Sequence, residues 1–242
     1  MFRVILADQT LWMLKIARLD RSLEDRWDTD RSPLDGLRAE DAALQHLDDA
    51  LGPRPFRLLG THPPAALLGF VPGDTPRSLY ARRAIDDHAL LRIAYRVGEV
   101  AALVHGVTRP DDPGDIPDVP FSDPSTAVLL HGALHLGNVQ VVLGWKRRWQ
   151  VNGVLDWMRA RWGPREAELV PLHLELFRTH RGTREAFLAG YMAGGGPLLS
   201  REGEDVFLHA ELERRLDLGL VHPDERADFE AWEKELRERL DA

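Results

Sequence analysis

The fold of this chain is decided by the stretch His131-Gly132-Ala133-Leu134-His135-Leu136-Gly137-Asn138, followed after a short pair of strands by Val154-Leu155-Asp156-Trp157. The glycines of the first stretch disfavour a helix and place its polar side chains on a loop. In the second stretch an apolar strand end is followed directly by an Asp, where a merely solvated charge is not expected.

Both motifs resemble those of the aminoglycoside phosphotransferase and choline kinase-like family, whose members read His-Gly-Asp-x-His-x-x-Asn and later Ile/Leu-Asp-Trp/Phe. The chain has both His, the Gly, the Asn and the later Asp, but Ala133 occupies the position of the family's catalytic Asp. The resemblance implies an α+β, bilobal protein-kinase-like fold. A small, shortened β/α nucleotide-binding lobe is expected at residues 1–72, and a larger, mainly helical lobe with the catalytic-loop-like motif at residues 73–242.

Lysine is rare in this chain, because 28 of the 31 basic residues are Arg and Lys occurs only at positions 15, 146 and 234. Lys15 falls on the second strand of an expected hairpin, and Glu40 falls in the helix that follows. The resemblance makes Lys15 the contact to the nucleotide phosphates and Glu40 its partner in an ion pair. The alternative is that Lys15 stands there by chance and that Glu40 is an exposed carboxylate of little consequence for stability.

The resemblance also implies a nucleotide and a metal, ATP and Mg²⁺. Asn138 and Asp156 match the two metal-binding residues of the family, although Asn138 would also suit a turn after Gly137. Phe70 and Val71 lie in a segment that resembles the family's connector between lobes, whose backbone would hydrogen-bond an adenine. The alternative for that segment is a plain junction between a strand and a loop.

The two histidines are expected to brace the loop by hydrogen bonding. Their spacing would bring His131 and His135 together as zinc ligands only on a helix, and the loop has none. Ala133 cannot accept a proton from a hydroxyl, and loss of a positioned base typically costs about 10²–10⁴-fold in rate. Three explanations stay open for Ala133: a natural pseudokinase, an engineered inactive variant, or another carboxylate, such as Asp123, that replaces the missing one.

Other positions depart from the family pattern. Only 14 residues precede Lys15, enough for one strand over the nucleotide, so the usual phosphate-covering turn is expected to be missing unless the chain start is truncated. Trp157-Met158-Arg159 stands where a further acidic residue is common. Gly163-Pro164-Arg165 replaces a usual Gly-Asp-Pro, with Glu168 near the position of a later structural Asp. By contrast, Phe187-Leu188-Ala189-Gly190-Tyr191 is again typical of the family.

The periodicity of the apolar residues predicts a hairpin over residues 2–17 and a helix that begins after Ser32-Pro33 and ends at Gly52-Pro53. The remaining elements are expected as strands at 56–60, 65–71, 139–143 and 149–155, helices at 84–105, 166–180, 183–193, 201–218 and 224–240, and a Pro-rich loop at 108–124.

Composition narrows the classes of function. The chain has 242 residues, a net charge of −8 and no Cys. An acidic chain is a poor general binder of nucleic acid, and the absence of Cys excludes disulfides and thiolate metal sites. No apolar run is long enough to span a bilayer and the N-terminal run is too short for a signal peptide, so we expect a cytoplasmic protein with no membrane partner.

The sequence therefore predicts ATP- and Mg²⁺-dependent phosphorylation of a small-molecule hydroxyl as the activity of the scaffold, weak or lost here because of Ala133. The alternative is a pseudokinase that binds a nucleotide, or none, and acts through a protein partner. A hydrolase of the Gly-x-Ser-x-Gly kind is not supported, since that motif does not occur.

Overall fold

The computed structural model describes residues 2–5, 11–16, 32–47, 52, 56–61, 64–119 and 125–241. The expected turn at residues 8–9, the charged segment 18–31 and Asp123 therefore lie outside the described residues. Within the described ranges the strands are β1 (Phe2–Ile5), β2 (Leu11–Ile16), β3 (Phe56–Thr61), β4 (Pro64–Gly69), β5 (Val128–Leu130), β6 (Val139–Leu143), β7 (Trp149–Val154) and β8 (Arg161–Gly163). The α-helices are α1 (Pro33–His46), α2 (Pro76–Ala81), α3 (Asp87–Val104), α4 (Leu169–Leu172), α5 (Thr183–Ala193), α6 (Arg201–Asp217) and α7 (Arg226–Leu240).

An antiparallel sheet in the order β1-β2-β4-β3 forms the N-terminal part of the fold. Helix α1 covers one of its faces, and Leu37 of this helix is fully buried with Met13, Ala66 and Leu68 of the sheet. The helix begins as the sequence predicts, with the Ser32 hydroxyl accepting the N–H of Asp35 at 3.2 Å and Pro33 in the first turn. It ends earlier than expected, at His46 rather than near residue 52.

Helices α3 and α5 form the centre of the larger, helical part. Their backbones come so close that an added Cβ at Gly98 would lie 2.1 Å from the carbonyl oxygen of Phe187, and one at Gly190 only 1.8 Å from that of Tyr95. Only glycine fits at such a helix crossing. Helix α3 is the long, largely buried helix that its apolar spacing predicts.

Two short antiparallel strand pairs position the two sequence motifs. The register of β6 and β7 pairs Val139 with Val154, so the loop before β6 and the segment after β7 meet at the same end of this hairpin. The β5–β8 pair, which the sequence analysis did not predict, places Leu130 opposite Arg161 and thereby joins the start of the loop to the same region.

The prediction of one helix at residues 166–180 is wrong in detail. This segment consists of a 3₁₀ turn at Arg165–Glu168, helix α4 and a π-helical turn at His173–Phe177. Apolar spacing does not distinguish these three kinds of turn, since each keeps one face inward over so short a length. None of the described helices is long and apolar enough to cross a membrane.

Candidate functional site

Lys15, Glu40 and Asp156 meet in one ion cluster. The Nζ of Lys15 donates to Oε2 of Glu40 at 2.8 Å and to Oδ1 of Asp156 at 2.5 Å. The Lys15 side chain is 9% exposed and that of Glu40 is 0% exposed, whereas that of Asp156 is 43% exposed. The cluster is therefore closed on the side of Glu40 and open to solvent at Asp156.

Three separate elements bring these charges together. Lys15 lies on β2 opposite Ala66 of β4, Glu40 lies in the middle of α1, and Asp156 follows β7. The second oxygen of Glu40 accepts the backbone N–H of Trp157 at 3.1 Å. Glu40 is thus no exposed helix carboxylate, since it connects the N-terminal sheet to the segment that carries Asp156.

The surroundings of the Lys15–Asp156 pair favour the charged form of both groups, the ammonium and the carboxylate. Burial lowers the pKa of the Lys15 ammonium, but the charges of Asp156 and Glu40 outweigh burial and raise this pKa above its ordinary value. Burial likewise opposes ionisation of Asp156, but the charge and hydrogen bond of Lys15, together with the charges of His131 and Arg159, outweigh burial and lower the pKa of Asp156 to about 2. The cluster consequently presents an ionised carboxylate to solvent at neutral pH.

Asp156 adopts a left-handed backbone conformation, with φ 68° and ψ 59°. Non-glycine residues enter this region at a cost of about 1–2 kcal/mol, although Asp tolerates it better than most. Such residues concentrate at functional sites, where the surrounding structure holds them in place. Here the backbone N–H groups on either side of Asp156 both donate hydrogen bonds. That of Leu155 donates to the Asn138 carbonyl at 2.7 Å, and that of Trp157 donates to the Glu40 carboxylate.

Asn138 stands beside Asp156 through that backbone hydrogen bond. Its amide nitrogen donates to the carbonyl of Ala133 at 3.0 Å, which directs the amide oxygen to the opposite side. An amide oxygen and an ionised carboxylate fit Mg²⁺, a metal that proteins hold with few side chains together with substrate phosphates and water. Among the described residues, no group of three or more His, Asp or Glu could hold a metal by itself.

Glu168 fixes the backbone at the start of the loop that runs from residue 131 to residue 138. Its carboxylate is 1% exposed and accepts the N–H of His131 at 2.5 Å and that of Gly132 at 3.2 Å. Gly132 has φ 74°, and an added Cβ there would lie 2.0 Å from the carbonyl oxygen of Arg159. The loop therefore needs glycine at this position and packs directly on the segment after Asp156.

His131 braces the loop with both ring nitrogens. Its Nε2 lies 2.9 Å from the carbonyl oxygen of Leu155 and therefore donates, while its Nδ1 accepts the N–H of Ala133 at 3.2 Å. The ring also packs edge-on against Trp157, with centroids 4.5 Å apart. Burial lowers the pKa of His131, in agreement with a neutral imidazole in this one tautomer.

Ala133 takes part in the loop through its backbone alone. It is 7% exposed, donates its N–H to His131 and accepts from the Asn138 amide. The backbone at Ala133 is therefore held on both sides, and its side chain offers only a methyl group.

Two further charged residues meet the loop, and the sequence analysis identified neither of them. Arg77, in α2, donates its backbone N–H to the carbonyl of Leu136 at 3.3 Å and pairs through its guanidinium with Glu175 of the π-helical turn. His135 lies beside both, with Nδ1 at 3.8 Å from a Glu175 oxygen and accepting the N–H of Gly137 at 3.0 Å. No sequence motif marks Arg77 or Glu175, because they meet only through the tertiary fold.

We expect His135 to stay neutral throughout the physiological pH range. Burial, followed by the charge of Arg77, lowers the pKa of His135 to about 4 from an ordinary value near 6.5. The unfolded chain then binds a proton between these values and the folded chain does not, so stability present above pH 6.5 is lost as the pH falls towards 4. The loss is on the order of 3 kcal/mol at most.

The measurement for His135 is an NMR titration of its ring, with urea unfolding between pH 4 and pH 7. Replacement by Gln should flatten the pH dependence of stability in that interval. A His135 ring that titrates near pH 6.5 in the folded protein would contradict the expectation.

The segment expected to connect two lobes lies against the β6–β7 hairpin. The amide nitrogen of Asn152 donates to the carbonyl of Pro72 at 2.8 Å, and Val71 packs against Gly153. Asp74 exchanges backbone hydrogen bonds with Val141, at 3.1 and 2.9 Å. The strand before this segment, β4, ends at Gly69, so Phe70 and Val71 follow the strand directly.

Comparisons with known proteins agree with the resemblance of the motifs. Residues 117–206 match the sequence profile of the phosphotransferase enzyme family. No curated protein matches the chain.

Solved structures of phosphotransferases share the fold. A GDP complex of wild-type aminoglycoside 2'-phosphotransferase-IIIa has a TM-score of 0.58 and 16% identity, with 96% of this chain and 88% of the other covered. The macrolide 2'-phosphotransferase MphH of Brachybacterium faecium, as apoenzyme, has a TM-score of 0.55 and 16% identity over 94% and 85% of the two chains. A microcompartment-associated aminopropanol kinase follows with a TM-score of 0.52 and 15% identity over 94% and 83%. The chain therefore has the α+β, bilobal protein-kinase-like fold that these enzymes share.

Proposed function

We propose that this protein binds ATP with Mg²⁺ at the site formed by Lys15 and Asp156, and that its scaffold serves phosphoryl transfer to a small-molecule hydroxyl at a rate lowered by Ala133. One observation carries the proposal: a buried lysine shared between the carboxylates of Glu40 and Asp156. Burying the charges of Lys15 and Glu40 is costly and does not by itself stabilise a fold, so a cluster that also presents one open carboxylate, Asp156, indicates a site.

The residues divide into three roles under this proposal. Lys15, oriented by Glu40, contacts the phosphates of the nucleotide. Asn138 and Asp156 hold the metal, which when bound neutralises charge on the phosphates. The backbone of Phe70 and Val71 contacts the adenine, in a connector that divides a nucleotide-binding lobe at residues 1–72 from a helical lobe at residues 73–242.

The loop contributes shape and hydrogen bonds. Glu168 and His131 keep the backbone at Ala133 in position, but no side chain there accepts the proton of an attacking hydroxyl. Positioning and electrostatic stabilisation account for most of the catalysis of phosphoryl transfer, so the scaffold retains a slow reaction. The substrate class is a small molecule with a free hydroxyl, supported by the aminoglycoside, macrolide and aminopropanol kinases that share the fold.

Ala133 also favours a second candidate, a pseudokinase that binds a nucleotide and acts through a protein partner. This candidate has the same nucleotide site, but it transfers no phosphoryl group and acts through its partner instead. A gain of transfer when the carboxylate is restored separates the two, as argued in the Discussion.

Calorimetric titration with ATP, with and without Mg²⁺, tests the nucleotide site. We expect Mg²⁺-dependent binding in the wild type and loss of the Mg²⁺ dependence in Asp156→Ala, because Lys15 keeps Glu40 as a partner while the open carboxylate is gone. Asp205→Ala is the matched control, since this carboxylate pairs with Arg239 at 3.0 Å in another part of the fold. Absence of binding at millimolar ATP, or equal binding by wild type and Asp156→Ala, would rule out the proposed site.

A further inference from the structure

The tip of the β6–β7 hairpin, residues 143–149, is an ordered turn with exposed apolar side chains. The N–H of Gly144 donates to the carbonyl of Arg148 at 2.9 Å, and that of Arg147 to the carbonyl of Gly144 at 3.1 Å. Trp145 is 85% exposed and Leu143 is 47% exposed. Tryptophan normally buries most of its ring, so one held this far into solvent indicates a contact that is absent from the isolated chain.

Three adjacent cations accompany the tryptophan. Lys146, Arg147 and Arg148 are all exposed, and within the described residues none of them forms an ion pair. The Lys146 ammonium lies over the Trp145 ring at 5.0 Å from its centroid. Most arginines elsewhere in the described chain have a carboxylate within 4.0 Å, as Arg214 and Arg226 do.

The hairpin that carries the tip contains no negative charge of its own. The sequence has no Asp or Glu between residues 125 and 155, although the chain has 39 acidic residues and a net charge of −8. The tip is therefore a cluster of positive charge in a chain that is acidic overall. A charge distribution of this kind orients the molecule towards a negatively charged partner.

We propose that the hairpin tip docks on an anionic phospholipid surface, with Trp145 and Leu143 at the level of the headgroups and Lys146, Arg147 and Arg148 against the lipid phosphates. Trp is enriched at membrane–water interfaces, where its ring is half in an apolar medium, and clustered basic residues bind anionic leaflets. The expectation of no membrane partner rested on the lack of a spanning segment, which surface docking does not require.

A lipid surface suits the tip better than a nucleic acid does. Proteins that bind single strands use a basic groove with aromatic rings free for stacking, whereas this tip protrudes and Lys146 lies over the face of its aromatic ring. A phosphate backbone also offers no apolar layer for Leu143.

Docking at the tip would orient the proposed nucleotide site relative to the lipid surface. The hairpin joins the tip at one end to Asn138 and Asp156 at the other, and its five-residue strand β6 spans about 17 Å. A protein docked in this way holds the site at a fixed height above the lipid surface. The inference does not depend on the proposed function, because binding is measured without nucleotide or substrate.

The test is co-sedimentation of the whole protein with vesicles of phosphatidylcholine alone or with 40% phosphatidylglycerol, at low and at physiological ionic strength. We expect binding only to the anionic vesicles, weakened by salt. The triple variant Lys146→Gln, Arg147→Gln, Arg148→Gln should lower the partition coefficient about 100-fold, from about fivefold per residue. Trp145→Ala should lower it about tenfold.

Two matched controls separate binding by the hairpin tip from general effects of removing charge or apolar surface. The triple variant Arg92→Gln, Arg181→Gln, Lys234→Gln removes the same charge from exposed positions elsewhere, and Leu198→Ala removes an equally exposed apolar side chain. Both should bind anionic vesicles like the wild type. Equal loss in the charge control, equal binding to neutral vesicles, no vesicle binding at all, or tip-dependent binding of a labelled oligonucleotide instead of vesicles would each overturn the proposal.

Discussion

Ala133→Asp is expected to raise phosphoryl transfer from ATP to a small-molecule hydroxyl by about 10²–10⁴-fold, the usual contribution of a positioned base. The backbone at position 133 is held by His131 and by the amide of Asn138, and neither hydrogen bond uses the side chain that the substitution changes. The measurement is ATP turnover against a panel of amino-sugars, amino alcohols, macrolides and sugars. Binding of MgATP should change little.

Ala133→Asn is the control for the gain of transfer, since it adds a side chain of the same shape that does not accept a proton as a carboxylate does. A rise in the Asp variant alone supports the phosphotransferase. An equal rise in both variants would mean that the side chain acts by packing. If Ala133→Asp binds MgATP and still transfers nothing, the pseudokinase explains the chain better.

Lys15→Met is expected to destabilise the protein by about 3–5 kcal/mol, because it leaves Glu40 as a fully buried carboxylate with only the Trp157 N–H as a partner. The measurement is the midpoint of urea unfolding at neutral pH. Lys234→Met is the matched control, because its ammonium is exposed and lies 3.8 Å from Glu238, a pair worth at most about 1 kcal/mol.

A second variant separates the loss of the ion pair from simple misfolding. Combining Lys15→Met with Glu40→Gln removes the orphaned charge and keeps an oxygen for Trp157, so part of the lost stability should return. Equal stability of Lys15→Met and the wild type would show that the buried pair is not needed by the fold. The double variant should still bind ATP poorly, because the phosphate contact is gone.

Local signals in the sequence were sufficient to predict much of the fold. Ser32 followed by Pro33 predicts the start of α1 because capping depends only on neighbouring residues. The end of that helix was predicted too late, since Leu47 continues the apolar spacing although its backbone is extended. The three-residue strands β5 and β8 were missed, because they are stabilised by each other across the chain rather than by their own pattern.

Those residues of the candidate site that match a sequence motif could be predicted. Those that come together only through the tertiary fold could not. Lys15, Glu40 and Asp156 were identified by resemblance, and the structure places them in contact. The full burial of Glu40 was not predicted, although Glu40 lies three residues after Leu37 and four before Leu44 on the same helix face. A carboxylate is rarely buried without a partner, and its partner Lys15 meets it only through the tertiary fold. The contact of Arg77 with Glu175 joins residues 98 positions apart, and no local pattern indicates it.

The hydrogen bonds of Glu168 to the loop backbone separate the shape of the loop from the side chain at position 133. Glu168 holds two backbone N–H groups, His131 a third, and Asn138 a carbonyl, and none of these bonds involves the side chain of residue 133. The backbone hydrogen bonds that shape the loop can therefore form with either an alanine or an aspartate at this position. The shape of the loop and the chemistry at position 133 are thus set by different groups of atoms.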